Sequence, residues 1–183
     1  MPGVSLLRLE APEIAHLAQP GQFLMVRCQE GLSLRRPLSV HRVTEAGQVD
    51  LLVAAVGRGS RWLSHREPGD QLDIIGPLGK GFSIEFDCEH LLLVAGGMGV
   101  APLIFLAQRA LAAQRSVTLL LGVATEAAIY PWRWLSPDIR LVVATEDGSL
   151  ARKGLVTDFL PEFLPWADQV FACGPLPMYR AMQ

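Results

Sequence analysis

Residues 91–102 read Leu-Leu-Leu-Val-Ala-Gly-Gly-Met-Gly-Val-Ala-Pro. An apolar run from Leu91 to Ala95 breaks into Gly96, Gly97 and Gly99, and a helix-like stretch opens at Pro102. A buried strand that turns through glycines into a helix makes an anion site. The glycines admit close backbone approach, and the helix N-terminus offers unpaired N–H groups at the positive end of its dipole. The same turn also occurs as plain packing, so the motifs around it decide its meaning.

Three further stretches carry chemistry. In residues 35–40, Arg-Arg-Pro-Leu-Ser-Val, Arg36 can fork onto phosphate oxygens and Ser39 can hydrogen-bond near a ring; a solvated strand edge is the plain alternative. Gly57-Arg58-Gly59-Ser60, followed by Trp62, Leu63 and His65, reads as a second glycine turn into a helix start. Ser60 is its expected N-cap, and the turn suits either a pyrophosphate or an ordinary cap. Residues 173–178, Cys-Gly-Pro-Leu-Pro-Met, close the last strand of the chain. Strand ends of this kind line ligand crevices, so Cys173 is expected to face one, touching a cofactor ring or filling space. No base stands beside it in sequence, which disfavours nucleophilic catalysis. Thr145 and Asp147, with Glu146 and Gly148, end an earlier strand on the same side, where they can meet a ribose or phosphate.

The elements that must position these residues fall into two halves. Residues 1–80 hold short strands at 5–9, 22–28, 37–43, 49–56 and 71–75, punctuated at 19–21, 46–48 and 68–70, and predict a small antiparallel β-barrel. Residues 81–183 alternate strands (91–95, 117–123, 139–145, 169–173) with helices (102–113, 126–135, 155–163 and from 176). That alternation predicts a doubly wound parallel α/β domain, the segment at 126–135 being interrupted by Pro131.

Bulk composition narrows the function classes. The 183 residues carry 16 basic and 18 acidic side chains, a net charge of −2, which provides no field for nucleic acid. Half the residues are hydrophobic, as strands buried on both faces require. Glycines and a proline interrupt the apolar stretch 91–107, so it reads as core and not as a membrane span, and with no apolar stretch after a basic start the N-terminus is not expected to be a signal peptide. Cys28, Cys88 and Cys173 are scattered and odd in number, which suits a reducing cytoplasm and argues against disulfides and a zinc site. His16, His41, His65 and His90 lack ligand spacing and read as structural or exposed. Tyr130, Trp132 and Trp134 read as a packing or interface cluster.

Arg-Pro-Leu-Ser, Gly-Arg-Gly-Ser, Gly-Gly-Met-Gly-Val-Ala-Pro and Cys-Gly-Pro-Leu-Pro-Met, in that order, resemble the ferredoxin–NADP reductase superfamily. Within it the chain is most similar to the electron-transfer subunits of NAD-dependent dihydroorotate dehydrogenases. That narrower likeness rests on residues 35–40, 76–82 and 146–158, and the whole runs from about Ala11 to Met182. The resemblance implies FAD held by Arg36, Pro37, Leu38, Ser39, Leu52, Val53, Ala54, Gly59 and Ser60. It implies NAD held by Gly97, Gly99, Pro102, Thr145, Asp147, Cys173, Gly174 and Pro175. Ser39 would polarise the flavin and Cys173 shape the nicotinamide side, the two residues expected nearest the chemistry.

Hydride would pass from NADH to FAD, and electrons onward to an FMN-containing dihydroorotate dehydrogenase catalytic subunit in a cytoplasmic hetero-oligomer. With no arginine in residues 122–126, NADH is expected over NADPH, with Arg133 the one cation near enough to change that. The branch often carries Tyr-Arg where this chain has Val53 and Ala54. Its members also hold a 2Fe–2S cluster on a cysteine-rich tail, whereas this chain has too few cysteines and reads as a fragment or a cluster-less relative. Two other readings stay open: a flavin reductase component serving ferredoxin or an oxygenase, and a non-catalytic nucleotide-binding assembly subunit.

Overall fold

Strand periodicity governs residues 3–82 of the computed structural model, which describes residues 1–28, 31 and 34–183. Five strands, β1 (Val4–Glu10), β2 (Phe23–Val26), β3 (Arg36–Val43), β4 (Gln48–Ala54) and β5 (Ile74–Leu78), form an antiparallel sheet in the order β1-β4-β3-β2-β5. The apolar run 49–53 of β4 is broken only by Asp50, and all five residues are buried, because helices α1 (Pro12–Leu17) and α2 (Arg58–Ser64) pack against that strand. Helix α1 is not predicted from the sequence. It is six residues long, started by Pro12 and Glu13, too short for a helical period to register. The last strand starts at Ile74 and not at 71.

Asp50 lies at the centre of this sheet, fully buried and directly opposite Arg8 of β1 and Arg42 of β3. Arg8 Nε donates to it at 2.8 Å and Arg42 Nη2 at 2.8 Å. Burial pushes the Asp50 carboxyl up, but the hydrogen bonds from Arg8 and Arg42 outweigh that and hold it below the ordinary range. At the sheet's other side, Asp73 takes a two-pronged contact from Arg35 at 2.8 and 2.7 Å.

Residues 83–183 belong to a second unit. Its strands are β6 (His90–Gly96), β7 (Ser116–Val123), β8 (Ile139–Thr145), β9 (Arg152–Lys153) and β10 (Gln169–Cys173), and its helices α3 (Val100–Ala112), α4 (Val156–Phe163) and α5 (Leu176–Ala181). The sheet is parallel throughout, in the order β10-β6-β7-β8-β9. Leu91, Leu92, Leu93, Val94 and Ala95 have no exposure at all, as expected of a strand covered on both faces. Helix α3 begins two residues before the expected Pro102, preceded by a 3₁₀ turn at Gly97–Gly99. The expected helix at 126–135 is instead two 3₁₀ turns, Glu126–Ala128 and Trp132–Trp134, split at Pro131. Tyr130 is fully buried and meets the Trp134 ring edge-on at 5.7 Å, so this cluster is packing. Among the described residues no helix is long and apolar enough to cross a membrane.

Candidate functional site

In residues 3–82 the motif residues gather where the sheet opens. The ladder between β3 and β4 stops at Val40 opposite Leu51. Beyond it, Arg36, Pro37, Leu38 and Ser39 pair only with β2, and Leu52, Val53 and Ala54 only with β1. The two strands therefore part along the stretch that holds seven of the expected residues. Strand alternation puts Arg36 with Leu38 on one face and Pro37 with Ser39 on the other. Leu52 and Val53 are buried, so they offer this opening their backbone edge and not their side chains.

Helix α2 closes one side of the opening. A Cβ at Gly59 would stand 2.8 Å from Arg36 Nε and 3.0 Å from Cys28 Sγ, so glycine lets α2 lie directly on the arginine where a larger residue would displace its side chain. The cap differs from expectation. Gly57 is the N-cap, and Ser60 sits one turn in, its hydroxyl accepting from the Gly57 N–H at 3.0 Å and donating to the Gly57 carbonyl at 3.2 Å. Ser60 thus fixes the turn with its side chain and has only its backbone N–H to offer. The neighbouring arginines have separate fates: Arg35 is spent on Asp73, whereas Arg36 has no acidic partner among the described residues. A cation resting on the first turn of a helix, with backbone N–H groups beside it, fits a pyrophosphate. Burial pushes the Cys28 thiol up, and the positive charge of Arg36 opposes it.

In residues 83–183 the site forms where strand order reverses. The chain runs outward from β6 through β7 and β8, then returns to place β10 on the other side of β6. Between the ends of β6 and β10 lies the crevice that such sheets use for ligands. The Gly97–Gly99 turn and residues 173–175 meet there. A Cβ at Gly99 would collide with the Cys173 carbonyl, and one at Gly96 would stand 2.7 Å from Pro175 Cδ. Gly97 differs: its φ is +53° and the space beyond its Cα is open. Gly96 and Gly99 thus join the two loops, while Gly97 leaves the approach clear. As the start of a helix, Gly97, Met98 and Gly99 carry N–H groups with no helical partner. Pro102 lies in the first turn of α3, where its missing N–H costs nothing.

Cys173 is half-buried, and burial pushes its thiol up, which suits a packing surface and not a thiolate. Tyr179, absent from the sequence reading, fastens this loop: its hydroxyl donates to the Ala172 carbonyl at 3.2 Å and accepts from the Gly174 N–H at 3.3 Å. The only trace of it in sequence is its place one turn into the final helix.

Thr145 needs correction. Its buried hydroxyl donates to the Leu150 carbonyl at 2.7 Å and accepts from the Leu150 N–H, so it closes the 145–150 turn and presents nothing outward. Asp147 stays exposed. Hydrogen bonds from the Ser149 hydroxyl and N–H hold its carboxyl below the usual range, and Ser149 Oγ in turn accepts from the Glu126 N–H. Arg133 lies over the Trp134 ring, 5.6 Å from its centre.

The three thiols lie apart in the chain: Cys28 follows β2, Cys88 precedes β6 and Cys173 ends β10. Among the described residues no three His, Cys, Asp or Glu side chains gather where a metal ion could sit.

Comparison with known proteins agrees with this division. Residues 3–82 match the oxidoreductase FAD-binding domain family, and residues 93–183 the oxidoreductase NAD-binding domain family. The chain is 38% identical over 180 residues to the dihydroorotate dehydrogenase B (NAD(+)) electron transfer subunit of Desulforamulus reducens, covering 95% of this chain and 69% of that protein. The subunit of the same name from Shouchella clausii is 39% identical over 184 residues, with 96% and 70% covered. Among solved structures, a NADH-dependent reduced ferredoxin-NADP oxidoreductase superposes with a TM-score of 0.83 at 31% identity, over 96% of this chain and 64% of that one. A ferredoxin reductase of carbazole 1,9a-dioxygenase shares the fold at 22% identity, also with a TM-score of 0.83.

Proposed function

Since the chain belongs to the family of dihydroorotate dehydrogenase B (NAD(+)) electron transfer subunits, an oxidoreductase family with FAD- and NAD-binding domains, we propose that it carries electrons between NADH and an FMN-containing catalytic subunit that interconverts dihydroorotate and orotate in the cytoplasm. The observation that carries this reading is the pair of cradles: Gly59 lying on Arg36 in one unit, and Gly99 against Cys173 in the other. When bound, the flavin and nicotinamide groups supply hydride and single-electron transfer, for which the protein needs no side-chain acid or base.

The chain's own residues bind and orient. In the flavin half, residues 1–80, Arg36 neutralises pyrophosphate charge beside the N–H groups of Gly59 and Ser60. Pro37, Leu38 and Ser39 with the backbone of residues 52–54 line the opening, and Ser39 offers the hydroxyl. In the nicotinamide half, residues 81–183, the open face of Gly97 admits the second pyrophosphate, and Gly99 and Pro102 shape the turn. Cys173, Gly174 and Pro175, fastened by Tyr179, form an uncharged wall for the nicotinamide, and Asp147 faces the ribose while Thr145 holds its loop. Arg133 lies on Trp134 and is the cation to test for 2′-phosphate recognition. An iron–sulfur group does not fit the donors present: it takes four neighbouring thiolates, and these 183 residues contain three, far apart in the chain.

The test is flavin reduction in the chain loaded with FAD. Rapid mixing with NADH should bleach the yellow absorbance, faster than NADPH does, and electrons should reach a small artificial dye. Failure to retain FAD, or retention without reduction by NADH, defeats the reading. A second reading, a reductase serving a ferredoxin, draws on the 31% identical oxidoreductase structure. Reduction of a ferredoxin in preference to a dihydroorotate-oxidising FMN partner would select it.

A further inference from the structure

Strand β10 is the outermost strand of the parallel sheet, with β6 on its inner side. In a parallel ladder, a residue of an adjoining strand bonds the C=O of one residue and the N–H of the residue two further on. On the outer edge of β10, where the chain leaves the sheet, that pair is the Ala172 carbonyl and the Gly174 N–H. One phenol oxygen serves both: the Tyr179 hydroxyl donates to the carbonyl at 3.2 Å and accepts from the N–H at 3.3 Å. A single side chain thus does at this point what a neighbouring strand would do.

The inner side of the same loop is held by contact. The Cys173 carbonyl turns the other way, against Gly99. A Cβ at Gly174 would stand 2.7 Å from Met178 Sδ, and one at Gly96 3.0 Å from it. Helix α5 therefore brings buried Met178 beneath the loop and exposed Tyr179 beside it. Apolar contact has no preferred direction, whereas a hydrogen bond has one, so the hydroxyl fixes where Cys173, between its two partners, must stand. Burial and the adjacent Cys173 thiol push the phenol up, so it keeps the proton that it gives to Ala172.

We infer that Tyr179 is a positioning residue for hydride transfer: by bridging Ala172 and Gly174 it sets the Cys173 wall against which the nicotinamide rests. The inference builds on the proposed reduction by NADH, in which NADH is oxidised to NAD+ and FAD reduced to FADH−. Tyr179→Phe deletes the oxygen alone, at an exposed side chain. The pyrophosphate turn at Gly97 is untouched, so NADH affinity should hold within about twofold. The limiting rate of flavin reduction, read by rapid mixing, should fall about tenfold, as for a misplaced reactant. Hydrogen exchange on the FAD-loaded chain without NADH should find the Gly174 amide about tenfold faster in the variant, the equivalent of one lost hydrogen bond, with the amides of α3 unchanged. Arg180→Gln, at the next exposed position, should alter neither reading. Unchanged exchange at Gly174 shows that the bridge does not form. Faster exchange with an unchanged limiting rate, or a loss confined to NADH affinity, makes the bridge merely structural, and equal slowing in Arg180→Gln assigns the effect to α5 as a whole. Each of these overturns the inference. A parent chain that NADH does not reduce overturns it through the reading on which it rests, and that failure shows before any variant is made.

Discussion

In the antiparallel unit β4 buries a carboxylate, Asp50, and the adjacent β3 buries His41; in the parallel unit the buried polar side chains among the described residues are two hydroxyls, Thr118 and Thr145. The sheets are equal in strand number, yet one admits a full charge to its core and the other does not. Access to water explains the difference. Arg8 is 48% exposed and Arg42 24%, so each reaches Asp50 while its own charge stays partly solvated. The strands β6 and β7, covered on both faces, leave no such path, and apart from Thr118 their buried positions are apolar.

The sharpest way to break the contrast is to strand the carboxylate. The double change Arg8→Met and Arg42→Met should cost the antiparallel unit about 3–5 kcal/mol, read as a lower urea midpoint, because Asp50 stays buried without its partners. Intact stability would mean that Asp50 takes up a proton at little expense. Next in size, Arg36→Ala should weaken FAD binding by roughly ten- to a hundred-fold, the value of a charge-assisted contact of about 1.5–3 kcal/mol. Equal FAD retention would show that this arginine, unlike Arg8 and Arg42, is idle.

Gly99→Ala probes the other unit. Overpacking against the Cys173 carbonyl should cost about 1–3 kcal/mol and slow reduction by NADH, with FAD retention unchanged. Unaltered reduction kinetics would count against the two-loop site. Smallest is the response to acid. Because the folded Asp50 pKa is depressed, its contribution is complete above the unfolded carboxylate value of about 3.9 and is lost as pH falls through the lower folded value. Asp50→Asn should flatten that acid limb in a stability–pH profile; an unchanged profile would place the titration elsewhere.

Much of this was legible in the sequence because burial writes itself into composition. The strands at 139–145 and 169–173 and the last helix from Leu176 are read to the residue from apolar runs and prolines. The glycine turn at 96–99 was equally plain. The division of labour within it was not, since which glycine packs and which leaves space depends on Cys173 and Pro175, some 75 residues away. The same holds for Thr145, whose hydroxyl looks outward in sequence and bonds to Leu150 in the fold. Helix α1 and the two-residue β9 are too short for any period. The clamp on Asp50 draws on β1 and β3, and only strand pairing brings those arginines together.

That clamp also governs which fold the first half can reach. Arg8, Asp50 and Arg42 stand directly opposite one another across three adjacent strands. A slip of β1 by one residue would set Leu7 or Leu9 beside the buried carboxylate and send Arg8 to the other face of the sheet. A slip of β3 would likewise replace Arg42 with His41 or Val43 opposite the carboxylate. Either slip therefore strips the buried carboxylate of one of its two arginines, a heavier penalty than mismatched apolar packing. The ion triad works as a ratchet pin for strand alignment, fixing from within the sheet where its outer strands must lie.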